Sequence, residues 1–326
     1  MLSRVAESLY WTARYVERAE DVARLLDVNF HALLDAQVED RGQAWQQLVA
    51  LLGDEALYRE HFEEYTAASV ADFLLWHPGN PNAVGSCVAL ARENARSVRE
   101  QISGEMWEAI NRLYLLVRSE SRSSTTRGPH AFFDQLRTGA HLFQGTTDAT
   151  MLHGELREFI QLGLHLERAT TTVRVVAARY PVAAGLPEDS PARSMELISL
   201  LKSCSAFEAY LKYRGTALEP WPAADYLIRS TEFPRAVLHC LQTCVAAVDR
   251  VSPGGGEPHR ILGRLGAELE YGEMYDVSGE TVRRLLDRLL AGIHEAGEAI
   301  TRAYFSSQAL TASALGLQEG QQQQCG

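Results

Sequence analysis

Two short runs place a glutamate directly before an arginine, each with a further arginine downstream: Glu17-Arg18 with Arg24, and Glu167-Arg168 with Arg174. Such carboxylate–guanidinium sets support three kinds of chemistry. The glutamates can pair with arginines on neighbouring helices, which fixes register more than it adds stability because desolvation offsets the Coulomb gain. The arginines can instead line a polar cleft and grip a carboxylate or phosphate through paired N–H bonds. Paired carboxylates can also hold a metal. The di-iron bundle pattern, however, uses Glu-x-x-His, and no glutamate of this chain has a histidine three residues later.

On a helix, Glu17 and Arg24 stand about 20° short of two full turns apart and about 10.5 Å along the axis, so they share a face. Asp21 sits between them at i+4, and Arg14 and Arg18 form a neighbouring cationic row. The second run keeps Glu167, Arg168 and Arg174 but has Thr170-Thr171 where the first has Glu20-Asp21. A third charged set, Glu93, Asn94 and Arg96, lies in Ala91–Arg96. Glu93 and Arg96 have the spacing of a helix-surface pair. Asn94, a modest helix former, would be placed there by a bond to a backbone or a ligand. Trp107 and Tyr10-Trp11 read as core anchors.

Signatures of self-sufficient catalysis are absent: no Gly-x-Ser-x-Gly, no phosphate loop, no Gly-x-Gly-x-x-Gly, no His-Glu-x-x-His. No cofactor and no metal is called for. Cys240 and Cys244 share a helical face but have no nearby histidine and read as small core residues.

The elements that must carry these residues are helical. Apolar residues recur with helical period from Ser3 to about Asn29, and again over Gln43–Leu52, Ala83–Ile102, Glu105–Val117, Ala131–Phe143, Leu152–Arg179, Ser194–Tyr213, Pro234–Val251 and Thr281–Phe305. Breaks are expected where Pro, Gly and Ser collect: His77–Pro81, Ser119–Pro129, Pro181–Pro191, Glu219–Pro222 and Ser252–Pro258. The residues from about Ser306 to Gly326 end in a glutamine run and read as a disordered tail.

The chain also repeats itself. Ala13–Ala19 aligns with Gly163–Ala169 at a spacing of 150 residues, and Arg24 meets Arg174 at the same spacing. Independently, Phe73-Leu74-Leu75 before Pro81, Val84 and Cys87 aligns with Tyr226-Leu227-Ile228 before Pro234, Val237 and Cys240, 153 residues on. Two matches in the same order imply a duplicated unit. The expected architecture is an all-α helical bundle of two pseudo-symmetric repeats, residues 1–150 and 151–305, followed by the tail, 306–326.

Hydrophobic residues make up 46% and charged residues 22% of 326, a globular mix. The net charge of −11 and the lack of a basic block argue against nucleic acid as a partner. No apolar stretch approaches membrane-spanning length, and Arg4, Glu7 and Arg14 interrupt any signal-peptide core. Five cysteines without a Cys-x-x-Cys fit a reducing, cytoplasmic setting.

Leu2–Trp11 followed by Arg14–Glu20 resembles the alpha-E family, a bacterial all-helical family with a Glu-Arg motif. Asn80-Pro81-Asn82 leading to Ala91–Arg96 and Glu105–Glu108 resembles its middle signature, and Gly163–Ala169 its second Glu-Arg site. The resemblance covers roughly residues 1 to 305 and departs at Thr170-Thr171, where the family tends to have an acidic residue. It implies a setting beside circularly permuted ATP-grasp proteins and transglutaminase-like proteins, hence synthesis or modification of a peptide-like amide. The leading expectation is an accessory partner subunit of such a ligase. The alternatives are an enzyme with a Glu/Arg-lined cleft between the repeats and a purely structural helical scaffold.

Overall fold

Two long helices, α1 (Leu2–Asp35) and α8 (Glu155–Gly185), lie against each other and carry the two Glu-Arg runs. The computed structural model describes residues 2–35, 41–120, 129–272 and 278–305; the expected tail and most of the Ser119–Pro129 break lie outside them. Between the long helices run α2 (Arg41–Leu52), α3 (Glu55–Arg59), α4 (Ala67–Leu75), α5 (Val84–Ser97), α6 (Gly104–Ser119) and α7 (His130–Thr150). After α8 come α9 (Pro191–Ser203), α10 (Phe207–Arg214), α11 (Pro220–Arg229), α12 (Val237–Val251), α13 (Gly256–Tyr271) and α14 (Gly279–Ile300), ending in a π turn, Thr301–Phe305. Among the described residues no strand is present.

Local chemistry accounts for the boundaries. Thr66 and Ser69 form a reciprocal capping box at the start of α4, and the Ser103 hydroxyl accepts from the Met106 N–H at the start of α6. Prolines open α9 and α11 at the first turn, where a missing N–H costs nothing. The expected break at Glu219–Pro222 is therefore a helix start. Similarly, the Gly254-Gly255-Gly256 stretch, all at positive φ, leads straight into α13. Two further expectations need correction. α8 runs through Pro181 to Gly185, because a proline one turn from a helix end removes one hydrogen bond without ending the helix. The single stretch expected over Ser194–Tyr213 is two helices, divided at Ser205 with φ 53°. The short helices α3, α4 and α11 carry too few turns to show a period.

α1 packs on α8 and α5; α8 packs on α12 and α14; α7 flanks α1. The close approach of the central pair depends on small residues. A Cβ built on Gly163 would meet the Tyr10 main chain and stand 3.3 Å from the Ala13 Cβ. Leu9, Val16, Phe143, Ile160 and Leu164 form a satellite core beside this contact, while the larger core spreads along the other faces of α1 and α8. Burial of each such side chain contributes about 1.5–3 kcal/mol, so the pair is held chiefly by apolar contact. Its polar residues add placement.

The helix order has an internal parallel. Phe73–Leu75 lies in α4 and Tyr226–Ile228 in α11, and the matched cysteines open α5 and α12. Cys87 Sγ points to the Pro81 carbonyl at 3.8 Å, and Cys240 Sγ to the Pro234 carbonyl at 3.5 Å. No helix is long and apolar enough to cross a membrane among the described residues.

Candidate functional site

The arginine of each Glu-Arg run serves the glutamate of the other. Arg168 Nε donates to Glu17 Oε1 at 2.9 Å, and Arg18 Nε donates to Glu167 Oε1 at 2.6 Å. Each glutamate then collects further donors. Glu17 accepts from Arg235 Nη1 at 2.6 Å and Gln144 Nε2 at 2.7 Å; Glu167 accepts from Arg14 Nε at 2.8 Å. Burial alone would raise both carboxyls, but the arginines outweigh it: Arg168 and Arg235 bring Glu17 down to about 2, and Arg14 and Arg18 do the same for Glu167. Both glutamates are ionised at neutral pH.

The Glu17 end is dry. Glu17, Glu20, Asp21 and Arg24 are essentially inaccessible, and Arg235 is buried over them. Arg24 Nη2 bonds Glu20 and Asp21, while its Nη1 donates to the Ser205 hydroxyl at 3.0 Å. Arg235 Nη1 reaches Asp21 at 3.0 Å and its Nη2 reaches Glu20 at 2.8 Å. Three carboxylates thus face three guanidinium groups, those of Arg24, Arg168 and Arg235. Burial pushes Asp21 up to about 7 against the pull of Arg24 and Arg235, because Glu17 and Glu20 share the same cations. The three acids stand close enough to ligate an ion, but the arginines already supply the positive charge a cation would bring.

The Glu167 end is open. A cavity of about 890 Å³ lies between α1, α8 and α14, with Trp11, Arg14, Arg18, Glu167 and Arg174 on its wall. Arg14 and Arg18 keep 18% and 22% of their side-chain surface in contact with solvent, against 0% for Glu17. A second cavity of about 770 Å³ continues from it between α1, α2, α8 and α9. Arg174, Asp287 and Leu290 line both, so the two form one groove with Arg174 at its waist. Arg174 Nη1 donates to the Leu52 carbonyl at 3.1 Å, closing the C-terminal end of α2.

The Alpha-E family model, described as a predicted alpha-helical domain with a conserved ER motif, matches residues 1–305. The chain belongs to the Alpha-E family. It is also similar to uncharacterized proteins of Mycobacterium bovis (Mb2597) and Mycobacterium tuberculosis (MT2643 and Rv2567), each 24% identical over 315 residues. That alignment takes in 89% of this chain and 35% of each relative, so the chain spans about a third of the length of the curated relatives it matches. No solved structure matches it.

Within this Alpha-E chain the residues expected to matter divide into two places. Glu17, Arg18, Arg24, Glu167, Arg168 and Arg174 are gathered along the α1–α8 contact. Glu93, Asn94 and Arg96 stand apart on the outer side of α5, where Arg96 pairs with Glu93 at 2.7 Å in the open. Asn94 makes no side-chain bond among the described residues; its carbonyl accepts from the Ser97 hydroxyl at 2.7 Å. Sequence reasoning missed Gln144 and Arg235, which complete the Glu17 end. Arg235 follows Phe233-Pro234 just before α12, at the place of Asn82 in the second motif match, and Asn82 accepts from Arg18 at 2.8 Å. That alignment was the available signal for Arg235.

Proposed function

We propose that this Alpha-E chain is a helical partner domain and that it works with a circularly permuted ATP-grasp protein, with a transglutaminase-like protein as a further associate, in the synthesis or modification of a peptide-like amide. The observation that carries the reading is the mutual saturation of the ER motifs. Glu17, with three donors on its two oxygens and no exposed surface, has no room for a reacting atom. Its geometry serves placement of α1 on α8. The length of the mycobacterial relatives supports the same reading, since in them the matched stretch is joined to a further two-thirds of chain.

In this reading the body consists of two like halves, residues 1–150 and 151–305, whose ER motifs clasp each other across α1 and α8. The parallel helix order and the matched cysteine contacts support it. The buried free thiols suit a cytoplasmic setting. The test is co-purification with the ATP-grasp protein encoded nearby, followed by ADP release from each protein alone and from the mixture. A complex burying about 1,200–2,000 Å² is expected, with ligase turnover that depends on this chain. Robust ATP turnover by the chain alone, or ligase activity indifferent to it with no complex formed, overturns the proposal.

A second reading has one observation in its favour: the Glu167 end is open to a cavity large enough for a small molecule. Reaction at that end in the absence of any partner would make the chain an enzyme in its own right.

A further inference from the structure

The two ends of the α1–α8 contact are built on the same plan but finished differently. At the closed end Arg24 is neutralised by Glu20 and Asp21, four and three residues before it, and donates to the Ser205 hydroxyl. At the open end Arg174 has Thr170 and Thr171 at those same two places. The Thr170 hydroxyl turns away and donates to the Leu166 carbonyl at 2.8 Å.

The third partner is lost as well. Ser205 and Gly53 occupy equivalent turns, each following a helix and each at positive φ, 53° and 83°. Where Ser205 offers a hydroxyl to Arg24, Gly53 offers empty space: a Cβ built on it would stand 3.6 Å from Arg174 Nη2. All three side-chain groups that accept from Arg24 are therefore missing around Arg174. Neither Glu167 nor Asp54 lies within ion-pair distance of it, and no described residue does. Arg174 keeps one backbone bond and turns the rest of its guanidinium to the waist of the groove.

The surroundings reinforce this. Arg14, Arg18 and Arg174 face the same cavity with Glu167 between them and Asp287 at the waist, three cations to two anions. On α14, Ala291 and His294 stand 150 residues after His141 and Gln144, which close the other end. The rim charges Glu298 and Arg302 compensate each other. The waist is left with a surplus of positive charge in a partly desolvated place, where an oxyanion is held by charge-assisted, two-pronged bonds. Beyond the waist, Leu48, Leu51, Ala177 and Leu290 give the groove an apolar floor.

We propose that the groove is a binding site for an organic oxyanion, its carboxylate or phosphate seated on Arg174 beside Arg14 and Arg18 and its apolar body lying along Leu48 and Leu290. The site is read from this chain's own residues, so failure to find a ligase partner leaves it standing.

The experiment is calorimetric titration of the full chain with three probes: N-acetyl-dileucine bearing a free carboxylate, the same compound as its C-terminal amide, and inorganic phosphate. The acid is expected to bind and the amide not; tighter binding of phosphate than of the acid assigns the seat to a phosphate ester instead. Arg174→Gln should weaken whichever anion binds by about tenfold or more, the usual consequence of losing a charged hydrogen-bond partner. Thr171→Asp keeps the arginine and supplies an internal carboxylate at the spacing of Asp21 and Arg24; it should weaken binding comparably while leaving the helical circular dichroism unchanged. Equal binding of acid and amide, no binding of either anion, or affinities unmoved by both substitutions overturns the proposal.

Discussion

Gly163 rests on the main chain of Tyr10 so closely that a Cβ placed on it would stand 3.1 Å from the Tyr10 carbonyl carbon, and nearer still to its oxygen. Backbone cannot move aside as a side chain can. Gly163→Ala must therefore part α1 from α8 and stretch the bonds between the ER motifs one turn further on. The expected loss is about 1–3 kcal/mol, as for other overpacked contacts. It should appear as a lower urea midpoint with an unchanged slope. A variant as stable as the native chain would show that the two helices do not meet at this glycine.

The two ER glutamates should differ in what their removal costs. Glu17→Ala takes the carboxylate from Arg168 at the dry end and leaves Arg235 to Glu20 and Asp21, at a cost of about 3–5 kcal/mol. Glu167→Ala leaves Arg14 and Arg18 on the wall of an open cavity, where water solvates them, and should cost about 1–2 kcal/mol. Denaturant titration of both variants decides the point; equal losses would contradict the contrast between a dry end and an open one.

Much of this arrangement is legible in the amino-acid sequence. The helical period along α1 and α8, the small residues Ala13 and Gly163 one turn before each glutamate, and the likeness of the two ER runs together imply buried glutamates paired with arginines. The spacing points to arginines on neighbouring helices without saying which, and the partners lie 149 to 218 residues away. Nothing periodic marks Gln144 as the residue that will cap Glu17. The contrast between the ends turns on Thr170, Thr171 and Gly53, ordinary residues whose meaning emerges only when Arg174 is seen without an acid beside it. Asn94 shows the opposite failure: its type suggested a specific bond, whereas a half-exposed helix position tolerates it without one.

Stability against pH should separate three groups. Glu17 and Glu167 fall from an ordinary 4.5 to about 2, so the unfolded chain takes up their protons first and stability drains as pH drops from 4.5 to 2. Asp21 rises from 3.8 to about 7; the folded chain holds a proton the unfolded one has released, so stability grows as pH falls through that window. His165, held by burial at about 3 against an ordinary 6.5, works the other way, because the unfolded chain accepts a proton that the folded one refuses. Between pH 6.5 and 4.5 these two oppose each other and the native curve should be shallow. Asp21→Asn should then lose stability on acidification there and His165→Gln should gain it. Parallel curves for all three proteins would refute the assignment.

The thiols give a simpler test. Burial pushes Cys87 and Cys240 up to about 12 and Cys204 up to about 11, and holds Cys244 well above the usual thiol range. Reactivity follows the thiolate. These four should resist a maleimide at pH 7.5 in the folded chain and react once urea unfolds it, as mapped by peptide mass spectrometry. Fast labelling of any of the four under native conditions would show that the core opens there.

The long reach of the Glu17 contacts also bears on the order in which the molecule is made. α1 is synthesised with Glu17, Glu20, Asp21 and Arg24 already present, yet Arg168 comes 151 residues after Glu17 and Arg235 comes 218 residues after it. Until both exist, seating that face of α1 in an apolar interior strands acids that water would otherwise hold. The nascent helix is thus kept in solvent through most of translation. A product cut short before Arg235 leaves Glu20 and Asp21 with Arg24 as their arginine partner, so its first helix should seat less firmly than that of the full chain.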